Sequence, residues 1–334
     1  MAIQATGRKR PLAVMTGITG NFGFAAGCLL RALRRHNPGL DADILIYTDG
    51  RLPEQDQHVL RNLGAELLPF TPLEADFQEK YLKIFSPMSL AILEGFRLLA
   101  GYRTVIWLDV DTAVQDDISE LAAFGPLGMA LEDPHFTEAG TSTPASINVT
   151  QNLPGLDPDE ANLNSGVVVF QDALPNPAGL YNQCLEWLAR HAGFVKYIDQ
   201  AALNMLAQDL RRRDASLIDL VPHDRFNAHP RNPAARHAAI VHAFGAYKLW
   251  DDGLTRCCFP EWDRDYRRWL AEGGSPWNGR VDNAEFLEGG AFFMLNRMYA
   301  AMASAQETLE TLQVKLERER GLRRKLEEIM RKHG

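Results

Sequence analysis

Cysteine is scarce in this 334-residue chain, with four residues, Cys28, Cys184, Cys257 and Cys258, and no C-x-x-C pair among them. The adjacent Cys257 and Cys258 are badly placed to bridge to each other, so a disulfide framework or a structural zinc site is not expected. A reducing compartment fits better. No apolar run approaches the roughly 20 residues that span a bilayer. Basic residues are in deficit: 35 Lys+Arg stand against 43 Asp+Glu, a formal net charge of −8, whereas a dedicated nucleic-acid binder needs a basic face. Internal repeats are absent. Arg8-Lys9-Arg10 ahead of an apolar stretch imitates a signal peptide, but Thr16, Thr19, Asn21 and the glycines 17, 20, 23 and 27 break that stretch. It reads instead as a strand, a glycine loop and a helix start. The chain is therefore expected to be cytoplasmic, with peripheral contact at the inner face of the membrane left open.

What is present is ordinary for a folded chain: 46% hydrophobic, 23% charged and 9% aromatic residues, enough for one large domain or two smaller ones. From Pro11 onward, apolar strand-like runs alternate with helical spacing. Strands are expected over 12–15, 43–48, 66–70, 104–108, 166–170, 216–221 and 239–242. Helices are expected over 24–35, 54–63, 89–100, 177–192 and 199–210. This alternation predicts an α/β fold with a parallel or mostly parallel sheet covered on both faces. Residues 133–163 are rich in Pro, Thr, Ser, Gly, Asn and Asp without periodicity, and a loop of that length in a compact domain is usually functional or disordered.

The last segment is different in kind. Residues 302–332 carry no aromatic residue, many Glu, Lys and Arg, and apolar residues at Leu309, Leu312, Leu316, Leu322, Leu326 and Ile329. The 3-4 spacing slips by one residue between the two halves, giving an amphipathic helix with an imperfect heptad pattern. Self-association through this helix and folding back onto the domain are both open readings. The expected organisation is a main domain over 11–255, an extension of it over 256–300, and a helical tail over 301–334. No motif assigns the aromatic-rich stretch from Phe259 to Trp277 to a site, and a structural role is expected there.

Chemistry concentrates in Val105-Ile106-Trp107-Leu108-Asp109-Val110-Asp111. Two carboxylates at i and i+2 past a buried strand lie at the carboxyl edge of the sheet, where open α/β folds bind ligands. Such hard oxygens suit Mn²⁺ or Mg²⁺, and the ion can in turn neutralise a diphosphate. The pair alone is also compatible with a polar strand end. Phosphatases of the haloacid-dehalogenase type use an Asp-x-Asp too, but near the domain start and with Thr or Val where this chain has Ala113.

Four further segments follow in order: Asn164-Ser165-Gly166-Val167, Asp199-Gln200 with Leu203-Asn204, Arg225-Phe226-Asn227, and His242-x-x-Gly245-x-x-Lys248-x-Trp250. With Asp109-x-Asp111, this set resembles the retaining glycosyltransferases of family 8, related to glycogenin and to bacterial lipopolysaccharide galactosyl- and glucosyltransferases, over about residues 11–252. The resemblance implies a GT-A fold, a Rossmann-like mixed central sheet flanked by helices. It also implies a nucleotide-sugar donor, UDP-glucose or UDP-galactose first, and a glycan or glycoconjugate acceptor. It makes Asp109, Asp111 and His242 the Mn²⁺ ligands, although a lone histidine is more often a core residue. Gly245 would let the backbone approach the diphosphate, and Lys248 would give the leaving phosphate a cation. Asn164, Asp199 and Gln200 match donor-sugar positions, Gln200 the one set against the anomeric carbon, where a neutral amide is a poor nucleophile. The family is accordingly described as reacting by front-face departure and attack. Asp133 falls where a sugar-binding acid is common, with Glu132 as the alternative. Asn21 matches a nucleotide contact, and capping of the following helix is its equal alternative.

The resemblance departs at four places. Thr19 stands where an Asp commonly reads uracil. No Arg stands between Ser86 and Gly95, where a donor-contacting Arg is expected near Ile92, leaving Lys83 or Arg97 as substitutes. Ala201 replaces an acid after Asp-Gln, and Leu249 replaces a Pro. These changes imply an altered donor pocket or lost activity. The competing reading is therefore a non-catalytic sugar-binding or assembly protein, oligomerised by its C-terminal helix. If residues 302–332 drive self-association, deleting them should lower the mass measured by light scattering; an unchanged mass refutes this.

Overall fold

The computed structural model describes residues 9–71, 87–132, 145, 151–230, 232–245, 248–250 and 259–277, together with 312, 315, 316, 319 and 320. The chain forms two compact units, residues 1–280 and 281–334. In the second unit the five described residues are helical and exposed, Leu312 and Leu316 at 55% and 48%. The rest of the expected heptad pattern lies outside the described residues.

The first unit is built on a seven-stranded mixed sheet. Its strands are β1 (Arg10–Ile18), β2 (Asp43–Thr48), β3 (Ala65–Pro69), β4 (Tyr102–Leu108), β6 (Leu127–Leu131), β7 (Leu163–Gln171) and β8 (Ile218–Val221). Their spatial order is β3-β2-β1-β4-β7-β6-β8. β3, β2, β1 and β4 are parallel, β7 runs antiparallel to both β4 and β6, and β8 is parallel to β6. A separate two-stranded ladder joins β5 (Thr112–Val114) to β9 (Ile240–His242).

The strands read as unbroken apolar runs because both faces are covered. Alternate residues point to opposite sides. Val14, Ile46, Ile106 and Val169 enter a core with α1 (Gly23–His36), α2 (Glu54–Asn62) and α6 (His223–Phe226), while Met15, Leu45, Val105 and Val168 enter a second core. The second core is closed by residues 87–98, α4 (Pro177–His191) and α5 (Ile198–Arg213). The helix expected over 89–100 begins as a 3-10 segment, Pro87–Leu93, and becomes α3 only over Glu94–Leu98. Met88, Leu90, Ala91, Ile92 and Leu93 are all buried, so packing rather than one amphipathic stripe sets its conformation. β5 has only three residues, too few for a period-2 pattern to stand out, and β6 carries Gly128 and Ala130, which are weak strand signals.

The aromatic-rich stretch after Cys258 is structural, as expected. α7 (Pro260–Ala271) lies on α1, with Phe259, Trp262, Tyr266 and Trp269 in the first core. Trp269 is fully buried, donates its indole N–H to Ser275 O at 2.8 Å, and occupies the space a Cβ on Gly27 would fill. Phe24 meets Trp262 and Tyr266 edge-on, at ring separations of 6.3 and 5.7 Å. Replacing such a ring leaves a cavity, so Trp269→Ala should cost about 3–5 kcal/mol in urea unfolding. A loss below about 1 kcal/mol would mean that α7 is not part of this core.

Candidate active site

The carboxyl ends of the parallel strands β1 and β4 share an edge with the amino end of β7, because β7 runs the other way. Just past β4, the Asp109 N–H donates to Gly166 O at 2.8 Å. Thr112 then closes the turn on Asp109 O, through its N–H at 3.1 Å and its hydroxyl at 2.7 Å. Thr112 opens β5, which sets it directly opposite His242 of β9. This ladder carries a distant histidine to the two carboxylates. His242 Nε2 lies 3.2 Å from Asp111 Oδ1 and 3.4 Å from Asp109 Oδ2. A Cβ on Gly166 would sit 1.9 Å from the imidazole, so only glycine leaves room for the ring.

Ligand atoms from Asp109, Asp111 and His242 lie within 4.8 Å of one another. His242 Nε2 is buried and lacks a directed hydrogen bond among the described residues. Two carboxylate oxygens and an imidazole nitrogen suit Mn²⁺ or Mg²⁺, so the residues fit a divalent cation. Lys248 Nζ ion-pairs with Asp111 and donates to Ala243 O at 2.9 Å. Burial alone would raise the Asp111 carboxyl, but Lys248 and His242 outweigh it and hold that carboxyl far below the usual range. Burial likewise disfavours a charged His242, yet Asp111 and Asp109 push it up to about 9. Among the described residues, Asp199 has no such cation. Burial, then the charge of Asp109, raises its carboxyl to about 6, against a hydrogen bond accepted from Ser165 Oγ at 2.8 Å.

These groups line one cleft of about 340 Å³. The cleft brings together Asp109, Asp111, Asn164, Asp199, Gln200, His242, Gly245 and Lys248. Gly245 has φ +78°, a conformation glycine adopts without strain. Asn21 is exposed on the loop before α1; its neighbours Thr19 and Phe22 line the cleft, and no side-chain cap is made at Phe22. Asp133 and Lys83 lie outside the described residues, whereas Glu132 lines the cleft and accepts from Asn162 Nδ2 at 2.6 Å. Ile92 is buried in the second core, and Arg97 pairs with Glu94, so neither supplies the expected cation. Met88 and Ser89 line the cleft instead, and the Ser89 hydroxyl is buried without a partner among the described residues. Ala201 and Leu249 are fully buried.

Sequence reasoning passed over Trp107, whose indole N–H holds Asp109 Oδ1 at 2.6 Å. Its place two residues before Asp109 on a strand, hence on the same face, was the available signal. It also gave Asn227 and Asn204 no role. Asn204 brackets Leu163, accepting its N–H at 2.8 Å and donating to its carbonyl at 2.7 Å, which pins the start of β7 to α5.

Residues 13–253 match the sequence profile of glycosyl transferase family 8. A search of curated proteins returns no match. Among solved structures, the galactosyltransferase LgtC in complex with donor and acceptor sugar analogues superposes with TM-score 0.57 at 16% identity, over 78% of this chain and 99% of that one. The bifunctional glycosyltransferase WbbM gives 0.57 at 17% identity, over 85% of this chain but 52% of that one. GlyE from Streptococcus pneumoniae TIGR4 gives 0.52 at 14%, over 82% and 67%. At these identities the likeness carries the fold: the GT-A arrangement of a mixed sheet flanked by helices.

The raised Asp199 carboxyl has a definite sign. Between its ordinary value of 3.8 and about 6, the folded chain holds a proton that the unfolded chain has released. This group's contribution to stability is therefore complete at low pH and lost as pH rises through about 6. In metal-free urea titrations, the stability of Asp199→Asn relative to wild type should climb over that interval and level off above it. A difference that is flat with pH would place Asp199 at its ordinary value.

Proposed function

The chain belongs to glycosyl transferase family 8, and from that premise we propose that it is a Mn²⁺-dependent retaining hexosyltransferase. It moves glucose or galactose from a UDP-linked donor to a glycan or glycoconjugate. The observation that carries this reading is the convergence in one cleft of three possible cation ligands, a lysine and the side chains of Asn164, Asp199 and Gln200. Asp109, Asp111 and His242 hold the cation, which when bound neutralises the diphosphate and favours its departure.

The chain's own residues do the rest. Lys248 sits beside Asp111 and offers its ammonium to the leaving phosphate as charge develops there. Gly245, with no side chain, lets the backbone close on the diphosphate. Asp199, held by Ser165, orients sugar hydroxyls. The C1–O bond to phosphate breaks with its electron pair on the diphosphate, the acceptor oxygen bonds C1 from the same face, and its proton passes to the departing phosphate. The acceptor is held by the 133–163 segment and the stretch after Trp250, and the tail over 302–332 pairs copies of the chain. Among the described residues no helix is long and apolar enough to cross a membrane; a cytoplasmic location, with contact at the membrane's inner face, belongs to the same proposal.

A second reading, a sugar-binding or assembly protein on this fold, draws on two observations: no arginine among the described residues lines the cleft, and Ala201 is in the core. Thermal unfolding with UDP, GDP and ADP, each with and without Mn²⁺, separates the two. A ligand at a hundredfold its dissociation constant adds about 2.7 kcal/mol, so the midpoint should rise by a few degrees only when UDP and Mn²⁺ are both present. Asp111→Asn should abolish that rise together with transfer and donor hydrolysis. Unchanged turnover in this variant overturns the enzyme reading as stated, and no shift with any nucleotide favours the second.

A further inference from the structure

Beyond α7 the chain is fastened residue by residue. Gly273 takes φ +91°, which glycine accepts without strain. The Gly274 N–H donates to Trp269 O at 3.0 Å, and a Cβ on Gly274 would sit 2.1 Å from the Trp269 indole. Ser275 is held on three sides. Its carbonyl accepts from Trp269 Nε1 at 2.8 Å, its hydroxyl accepts from Gln55 Nε2 at 3.1 Å, and its N–H donates to Asp56 Oδ1 at 2.6 Å. The Trp277 N–H then donates to the Tyr266 hydroxyl at 3.0 Å. Together these bonds fix where Trp277 stands.

Trp277 meets the loop that enters α1. Its ring centre lies 5.2 Å from Phe22 and 6.0 Å from Trp250. Those two rings meet edge-on at 5.7 Å and both line the cleft, whereas Trp277 packs on them without lining it. Phe22 stands before the first turn of α1, between Gly20 and Gly23, and no side-chain cap is made there. Its own loop therefore does little to fix the ring. Asp56, 1% exposed, joins the two segments: the carboxylate that binds Ser275 also packs on Gly23, where a Cβ would sit 2.7 Å from Asp56 Oδ2. Trp277 and α7 lie past the 13–253 segment that matches the family profile.

The order of strands says which end of a donor meets this wall. Along the edge β1-β4-β7, the loop holding Thr19 and Phe22 follows β1, Asp109 and Asp111 follow β4, and Asn164 lies at the start of β7. With the diphosphate at the cation ligands and the sugar on the β7 side, the nucleoside falls on the β1 side, at Phe22. We infer that Trp277, clamped through Ser275 to Asp56, is a positioning residue for nucleotide binding: it holds the Phe22 ring so that the cleft offers the nucleoside a preformed aromatic wall. A ring already in place costs less to order when the ligand arrives. This rests on the glycosyltransferase reading above, and deepens it by giving a segment outside the family match a part in donor affinity.

The test uses the full chain and isothermal titration calorimetry in Mn²⁺, with UDP and inorganic pyrophosphate as probes. Pyrophosphate can engage the cation and Lys248 but carries no nucleoside to meet Phe22. Trp277→Ala should weaken UDP binding about 3–10-fold and leave pyrophosphate within about twofold. Trp277→Phe, which keeps an aromatic ring against Phe22, should recover most of the loss. In turnover of UDP-glucose or UDP-galactose the loss should appear in KM, with kcat within about twofold. Asp56→Ala should also weaken UDP, and the double variant should lose less than the product of the two single losses. In hydrogen exchange without ligand, the Phe22, Ala25 and Ala26 amides, which bond to the Thr19 and Phe22 carbonyls, should exchange faster in Trp277→Ala while those of β4 hold. Unchanged UDP affinity in a folded Trp277→Ala overturns the assignment, as do equal losses for UDP and pyrophosphate, which mean a general loosening of the cleft. Unchanged exchange at these amides overturns the clamp. If wild type binds no UDP in Mn²⁺, the proposed function fails, and the exchange rates still decide whether Trp277 holds Phe22.

Discussion

One backbone hydrogen bond, from Asp109 N–H to Gly166 O, holds the site's two halves together. It continues the antiparallel ladder that pairs Leu108 with Val167 by one step beyond the end of β4. Through it the carboxylates that follow one strand meet the Asn164-Ser165-Gly166 segment that opens another. Had β7 run parallel to β4, its amino end would sit at the opposite edge of the sheet, and no polar cleft would form here. The missing side chain of Gly166 then gives His242 its place against the carboxylates.

Around that point the electrostatics are divided. Asp111 is buried but compensated by Lys248 and His242, so it stays charged. Asp199, also enclosed, has no cation beside it among the described residues and feels Asp109, so its proton is held more tightly. Two acids in one cleft therefore differ in chemistry because their charged neighbours differ. Two carboxylates and a buried imidazole with ligand atoms within 4.8 Å of one another are the physical reason the cluster suits a divalent cation.

Much of the architecture was readable in the sequence. The strands over 43–48 and 104–108 stand out because both sheet faces are covered, leaving uninterrupted apolar runs. The segments holding Asp109, Asn164, Asp199 and His242 pointed to one cleft because each lies at or just past the end of a strand or at the start of α5. Other features were not readable. Counting back from Asp109 led to Ile92 as the cleft position, yet the tight 3-10 segment buries Ile92 and turns Met88 and Ser89 to the cleft. Asn21 matched by position, but its loop leaves it exposed beside Thr19 and Phe22.

What the sequence by itself determined is the alternation of strands and helices, the family, and which residue types could meet at the carboxyl edge. Those properties are local, written in periodicity and in short segments. Only the tertiary structure decided that His242 reaches Asp109 and Asp111 through the β5–β9 ladder, that α7 completes the core over α1, and that Trp277 stands against Phe22. Strand register and hydrogen-bond direction depend on partners far apart in the chain, and a sequence records residue types without recording which donor meets which acceptor.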